Sequence, residues 1–237
     1  EFIREKQLDI MLLLCGGSGM IILLLLFTRF LSKSRRRILV LMELVAFFLL
    51  WFDRLAYVYS GASGTTGYVM VRVCNFMVFF LTSAIVLGFN LYLTDLLLNE
   101  GKLEKLPRRL KVVNAGAAIG MFLAVVSHFT GLYYYFDDQN VYHRGPGFLI
   151  CYIVPVVFPI VQYTVIRQYK KIFSRLIYLS LVLYLFVPII VGIIQIFTYG
   201  ISIVNMAMVL VSISLYVFSY LDINDEVEKA HELEVGN

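Results

Sequence analysis

Residues 10–37 read IMLLLCGGSGMIILLLLFTRFLSKSRRR: nineteen residues without a charge, then a cluster of four bases within the last six positions. A helix needs about 20 apolar residues to cross the roughly 30 Å hydrocarbon layer. The first run is therefore read as a membrane span and the basic cluster behind it as a stop-transfer signal; the run is too long, and too well followed by others, for a cleaved signal peptide. Working outward, residues 73–94, 148–166, 176–199 and 201–221 also contain no charge, and 112–136 contains only His128. A further run, 38–59, is apolar in the main but carries Glu43, Asp53 and Arg54. The expected fold class is an all-α integral membrane protein, a seven-transmembrane helix bundle.

Composition agrees. Of 237 residues 60% are hydrophobic and 15% charged, with a mean hydropathy of +0.84; soluble domains are about 45–50% apolar and about 25% charged. With 19 Phe, 16 Tyr and only 5 Pro, the chain is neither disordered nor fibrous. Cys15, Cys74 and Cys151 all fall inside apolar runs, which indicates neither a disulfide framework nor a metal motif. No Met precedes Glu1, and the chain stops within a charged helical pattern, so a piece of a longer protein is expected.

The net charge of +4 matters less than where the bases lie. The first, third and fifth loops hold 13 of the 20 Lys and Arg, whereas the even loops contribute only Arg144. Cytoplasmic loops collect bases, so the N-terminus is expected outside and the C-terminus in the cytoplasm of a cell (inner or plasma) membrane. The clusters are topology signals, and no nucleic-acid partner is expected. The prolines, Pro155 and Pro159 in the fifth span and Pro188 in the sixth, lack first-half counterparts, which counts against the inverted repeats of transporters. They predict kinks.

Ionisable groups within a membrane are costly and mark function by default. With the direction above, Asp53, Arg54, Arg72, Asn75, His128, Tyr152, Gln195 and Asn205 fall in the outer half, and Glu43, Asn90, Asn114 and Gln162 in the inner half. At 100° per residue Arg72, Ser83 and Asn90 share one face of the third helix, to within about 20°. The sharp reading is an extracytoplasmic pocket in which Arg54 and Arg72 hold an anionic group between Trp51, Tyr57, Tyr68 and Tyr152, because guanidinium forks suit carboxylate or phosphate. The bland reading is a salt bridge, such as Asp53 with Arg72, within an interfacial tyrosine belt. His128 is read as a hydrogen-bonded packing residue, with proton sensing as its alternative. The longest exterior loop, YYYFDDQNVYHRGPG at 133–147, includes Arg144 and is a candidate lid. No cofactor or metal site is expected.

After the seventh span the chain turns abruptly charged, with apolar residues at Ile223, Val227 and Ala230 and then either Leu233 or Glu234, a heptad-like seam. Residues 1–221 are thus read as the membrane domain and 222–237 as the start of a cytoplasmic signalling helix, with dimerisation expected through that helix. The last span lacks a lysine for a retinal Schiff base, and the Asp-Arg-Tyr and Asn-Pro-x-x-Tyr motifs of animal receptors are missing. The chain resembles instead the seven-transmembrane N-terminal sensor region of bacterial histidine kinases and diguanylate cyclases, in its topology, in Tyr142 to Phe148 leading into Tyr152 and Pro155, and in the exit DEVEKAHELE. That resemblance implies an architecture and a signalling role, with catalysis, if any, in a downstream domain; together with the outer arginines it gives the leading expectation, a sensor that binds a small, anionic or polar ligand and shifts its last helix. The alternative is a small-solute transporter whose path follows Arg72, Ser83 and Asn90. An intramembrane enzyme is disfavoured, since no Ser-His pair with an obvious acid and no His-Glu-x-x-His is present.

Overall fold

The apolar runs fold as helices, and charged residues at their margins join them. The computed structural model describes residues 1–198 and 200–236, so Tyr199, the end of the sixth expected span, and Asn237, the end of the tail, lie outside the described residues. The order is α1 (Phe2–Phe27), α2 (Lys33–Val58), α3 (Gly64–Asp95), α4 (Arg108–Thr130), β1 (Tyr134–Phe136), β2 (Tyr142–Arg144), α5 (Ile153–Gln168), α6 (Arg175–Phe197) and α7 (Val204–Val235). A π-helical turn, Leu96–Glu100, extends α3, and a 3-10 turn, Phe148–Tyr152, leads into α5.

Local chemistry sets several boundaries. The Ser32 hydroxyl accepts the amide of Arg35 at 3.2 Å and opens α2, and Ser174 does the same for α6 with Ile177. One expectation is corrected: residues 112–136 are not a single helix. Gly131, in the left-handed region at φ +71, closes α4, and the aromatic residues beyond it form β1, paired antiparallel with β2. Among the described residues the bundle is thus all-α apart from one two-stranded hairpin.

Among the described residues six helical segments are long and apolar enough to cross a membrane. Their outward faces are apolar, as Leu13 and Phe27 on α1, Phe122 on α4 and Phe197 on α6 show; such a surface fits lipid and not water. The seventh helix, α2, is the one with Glu43, Asp53 and Arg54 along its length, and it packs among α1, α3 and α7. Its buried residues Leu39, Met42, Ala46, Leu49 and Asp53 recur every three or four positions, so one stripe turns inward. Glu43 is 1% exposed and accepts a 2.7 Å bond from Ser18 of α1. Placing α2 inside the bundle lets helix partners, not hydrocarbon, surround its charges.

Candidate functional site at the hairpin end

Two polar groupings form at the end of the bundle that carries the hairpin, and each takes some of the expected site residues. The first holds the α6–α7 connection. Asp53 is buried and its Oδ2 accepts the Ser202 hydroxyl at 2.6 Å and the Asn205 amide at 2.9 Å. Gln195 Oε1 accepts the amides of Ile203 and Val204 at 2.8 and 2.9 Å, satisfying donors that the start of α7 leaves open. Tyr57 lies against Ser202. These contacts fix the start of α7 on α2, and the Asp53–Arg72 salt bridge of the alternative reading is not among the ion pairs of the described residues.

The second grouping surrounds Arg72. Past Gly131 the chain doubles back with Tyr134 opposite Arg144, Tyr135 opposite His143 and Phe136 opposite Tyr142. Asp137 stitches the turn: its Oδ1 accepts the amides of Gln139 and Val141 at 2.9 and 3.0 Å, and its Oδ2 meets His143 Nε2 at 2.7 Å. Those bonds hold the Asp137 carboxyl below its usual range, His143 first, whereas burial pushes the Tyr134 and Tyr142 hydroxyls up. Gly145 is needed where it stands, because a Cβ there would run into the backbone carbonyl of Gly131. Asn140, at φ +62, pins the hairpin tip: its Nδ2 donates to the Ala62 carbonyl at 3.2 Å, its own carbonyl accepts the Gly61 amide at 3.2 Å, and its Oδ1 accepts Arg72 Nη1 at 2.6 Å.

Arg72 Nη1 also donates to the Tyr68 carbonyl at 3.0 Å, and the guanidinium lies 3.5 Å from the Tyr68 ring centre and 4.7 Å from that of Phe136. No carboxylate pairs with it among the described residues. It borders a cavity of about 330 Å³ whose other walls include His128, Phe129, Tyr134, Tyr135 and Phe136. His128 Nδ1 is 3.4 Å from the Tyr134 hydroxyl, and its ring stands edge-on to Phe76 and Phe129.

The remaining expected residues lie elsewhere. Arg54 Nε donates to the Leu8 carbonyl of α1 at 3.0 Å, so the two arginines are engaged by different elements. Asn75 bonds the Val71 carbonyl of its own helix, and Trp51 stacks on Phe47. Arg144 covers the Phe148 ring, against which Tyr152 stands edge-on. Asn140 and the hairpin aromatics were missed as site residues. The strand-favouring residues of YYYF and VYHR on either side of the turn-forming DDQN are the signal that marks them.

At the opposite end Arg35, 6% exposed, joins three elements. Its Nη1 meets Glu100 Oε1 at 2.7 Å, and its Nη2 donates to the hydroxyls of Tyr92 at 3.2 Å and Ser219 at 3.3 Å. Charge counting assigned this residue to topology alone. Comparison with protein-family models, curated proteins and solved structures finds no match for this chain, so its fold and site stand on their own geometry.

Proposed function

We propose that this chain is the sensory membrane domain of a receptor, spanning the membrane seven times with the hairpin outside and the tail in the cytoplasm. A small anionic or polar ligand enters beside Arg72, and a shift of the helices reaches α7 and its tail. The observation that carries the reading is the guanidinium of Arg72, which borders a cavity and has no carboxylate partner among the described residues. The bias of bases toward the odd loops supports the orientation. The exposed tail residues Val227, Ala230 and Leu233 on the continuous helix α7 support pairing with a second copy ahead of an output domain of the histidine kinase or diguanylate cyclase type.

Transport is less well supported, because the polar stripe of α3 is occupied by packing. A Cβ on Gly120 would lie 2.5 Å from Ser83 Oγ, and Asn90 donates to the Leu110 carbonyl and to Asn114. The test screens small anions by thermal unfolding of the chain in nanodiscs, with liposome uptake in parallel. Sensing expects stabilisation that Arg72→Ala abolishes while the variant still inserts and folds; uptake of a solute would establish transport instead, and loss of folding in Arg72→Ala would make the arginine structural.

A further inference from the structure

The Arg72 cavity is specific enough in its chemistry to indicate a class of ligand. Arginine has five N–H donors. Both hydrogens of Arg72 Nη1 are taken, by the Tyr68 carbonyl and Asn140 Oδ1, while Nε and Nη2 make no hydrogen bond among the described residues. The edge that remains carries one hydrogen of Nε and one of Nη2 side by side, which is the fork that fits the two oxygens of one carboxylate.

Charge limits the choice further. Arg72 is the one permanently charged group in the cavity wall. The hairpin's Asp137 is committed to its own turn and to His143, and Arg144 to the face of Phe148. A monoanion neutralises this site, whereas a phosphate dianion leaves a charge over. Apart from Gly131, the rest of the wall consists of ring side chains, among them Phe129, Tyr135, Phe136 and the imidazole of His128, which suits the face of a flat ring. A volume of about 330 Å³ lies at the small end of ligand sites.

Resting on the receptor reading above, we propose that this cavity binds a small aromatic monocarboxylate, its carboxylate forked on the Nε–Nη2 edge of Arg72 and its ring against the hairpin aromatics. The test measures calorimetric binding of sodium benzoate, benzamide and inorganic phosphate to the chain in nanodiscs, for the parent protein, Arg72→Lys and Arg72→Gln, with thermal unfolding to show that each variant folds. Benzoate is expected to bind the parent and to weaken about 10- to 100-fold in Arg72→Gln. Arg72→Lys should fall between, since an ammonium keeps the charge but not the fork, and benzamide should bind about tenfold more weakly than benzoate. Benzamide equal to benzoate, or phosphate tighter than benzoate, with either lost in Arg72→Gln, overturns the ligand class and leaves a receptor cavity standing. Benzoate binding that is undetectable, or unchanged in a folded Arg72→Gln, overturns the ligand class and removes the support of Arg72 for sensing as well.

Discussion

Asn140 separates two things that meet at Arg72, the closure of the hairpin and the charge offered to a ligand. Asn140→Ala removes a 2.6 Å bond from a guanidinium and a 3.2 Å bond to the Ala62 carbonyl. At a partly solvated site the first is worth about 1.5 kcal/mol, the low end for bonds to charged groups, and the second about 1 kcal/mol. Alanine at φ +62 adds a further cost, about 1 kcal/mol, that asparagine bears more easily. A loss of about 3.5 kcal/mol raises the population of the opened hairpin about 300-fold, read as faster amide exchange at Gly61 and across the hairpin. Asn140→Asp behaves differently. It keeps an oxygen on Arg72, loses only the donor to Ala62, and should stay within about tenfold of the parent in exchange. Its new carboxylate occupies the charge of Arg72, so benzoate binding should disappear although the hairpin remains closed. Unchanged exchange in Asn140→Ala would show that the hairpin is held by other contacts. Benzoate binding by Asn140→Asp at parental strength would refute the premise that the free charge of Arg72 is what the cavity offers.

Asp53→Ala leaves the Ser202 hydroxyl and the Asn205 amide unpaired in a buried position and should cost about 2–3 kcal/mol, with Asp53→Asn, which keeps an acceptor, costing less; thermal midpoints in detergent rank the two. At the far end Glu100→Ala should destabilise more than Arg35→Met. The first strands a buried cation with only hydroxyl acceptors, at about 2 kcal/mol, whereas the second replaces the cation with an apolar stem and frees a half-exposed carboxylate, at about 1 kcal/mol; denaturation of both variants gives the order. The hairpin should respond to acid. Because the Asp137 carboxyl is held below its unfolded value, its stabilising contribution is complete above that unfolded value and is lost as pH falls through the lower folded one. Protease sensitivity of the hairpin should rise over that acidic window in the parent and follow pH less steeply in Asp137→Asn.

The helices were legible because apolar length is a one-dimensional property: residues 73–94 or 201–221 can be read without knowing their neighbours. The hairpin was concealed by the same measure, since Tyr134, Tyr135 and Phe136 are as uncharged as the helix before them and only Gly131 breaks the run. Outer-half polar residues could be sorted by depth, but depth does not fix azimuth across helices. Asp53 and Arg54 are adjacent on α2, and so point about 100° apart; one meets α7 and the other α1, and neither meets Arg72. Arg35 illustrates the opposite difficulty. Beside Arg36 and Arg37 it reads as one more topology charge, and only the return of α7 beside α2 shows it buried between Glu100, Tyr92 and Ser219.

The two ends of the bundle are joined mechanically by α3. The 28 residues from Arg72 to Glu100 rise roughly 42 Å at about 1.5 Å per residue. At one end α3 presents the guanidinium of the cavity, and at the other its Glu100 carboxylate holds Arg35, which in turn holds Ser219 of α7. The last turn of this path is π-helical, a widened geometry often found at functional sites. A ligand moves such a system only by the difference in its affinity for two arrangements. The hairpin supplies a physical origin for that difference, because Arg72 is bonded both to α3's own Tyr68 and to Asn140 of the hairpin. On the proposed receptor reading, a carboxylate on the free edge of Arg72 would compete for a guanidinium already shared between helix and hairpin, and an adjustment of α3 would reach α7 through the Glu100–Arg35–Ser219 bonds together with the packing of α2 on α7, beyond which the tail helix continues unbroken to Val235.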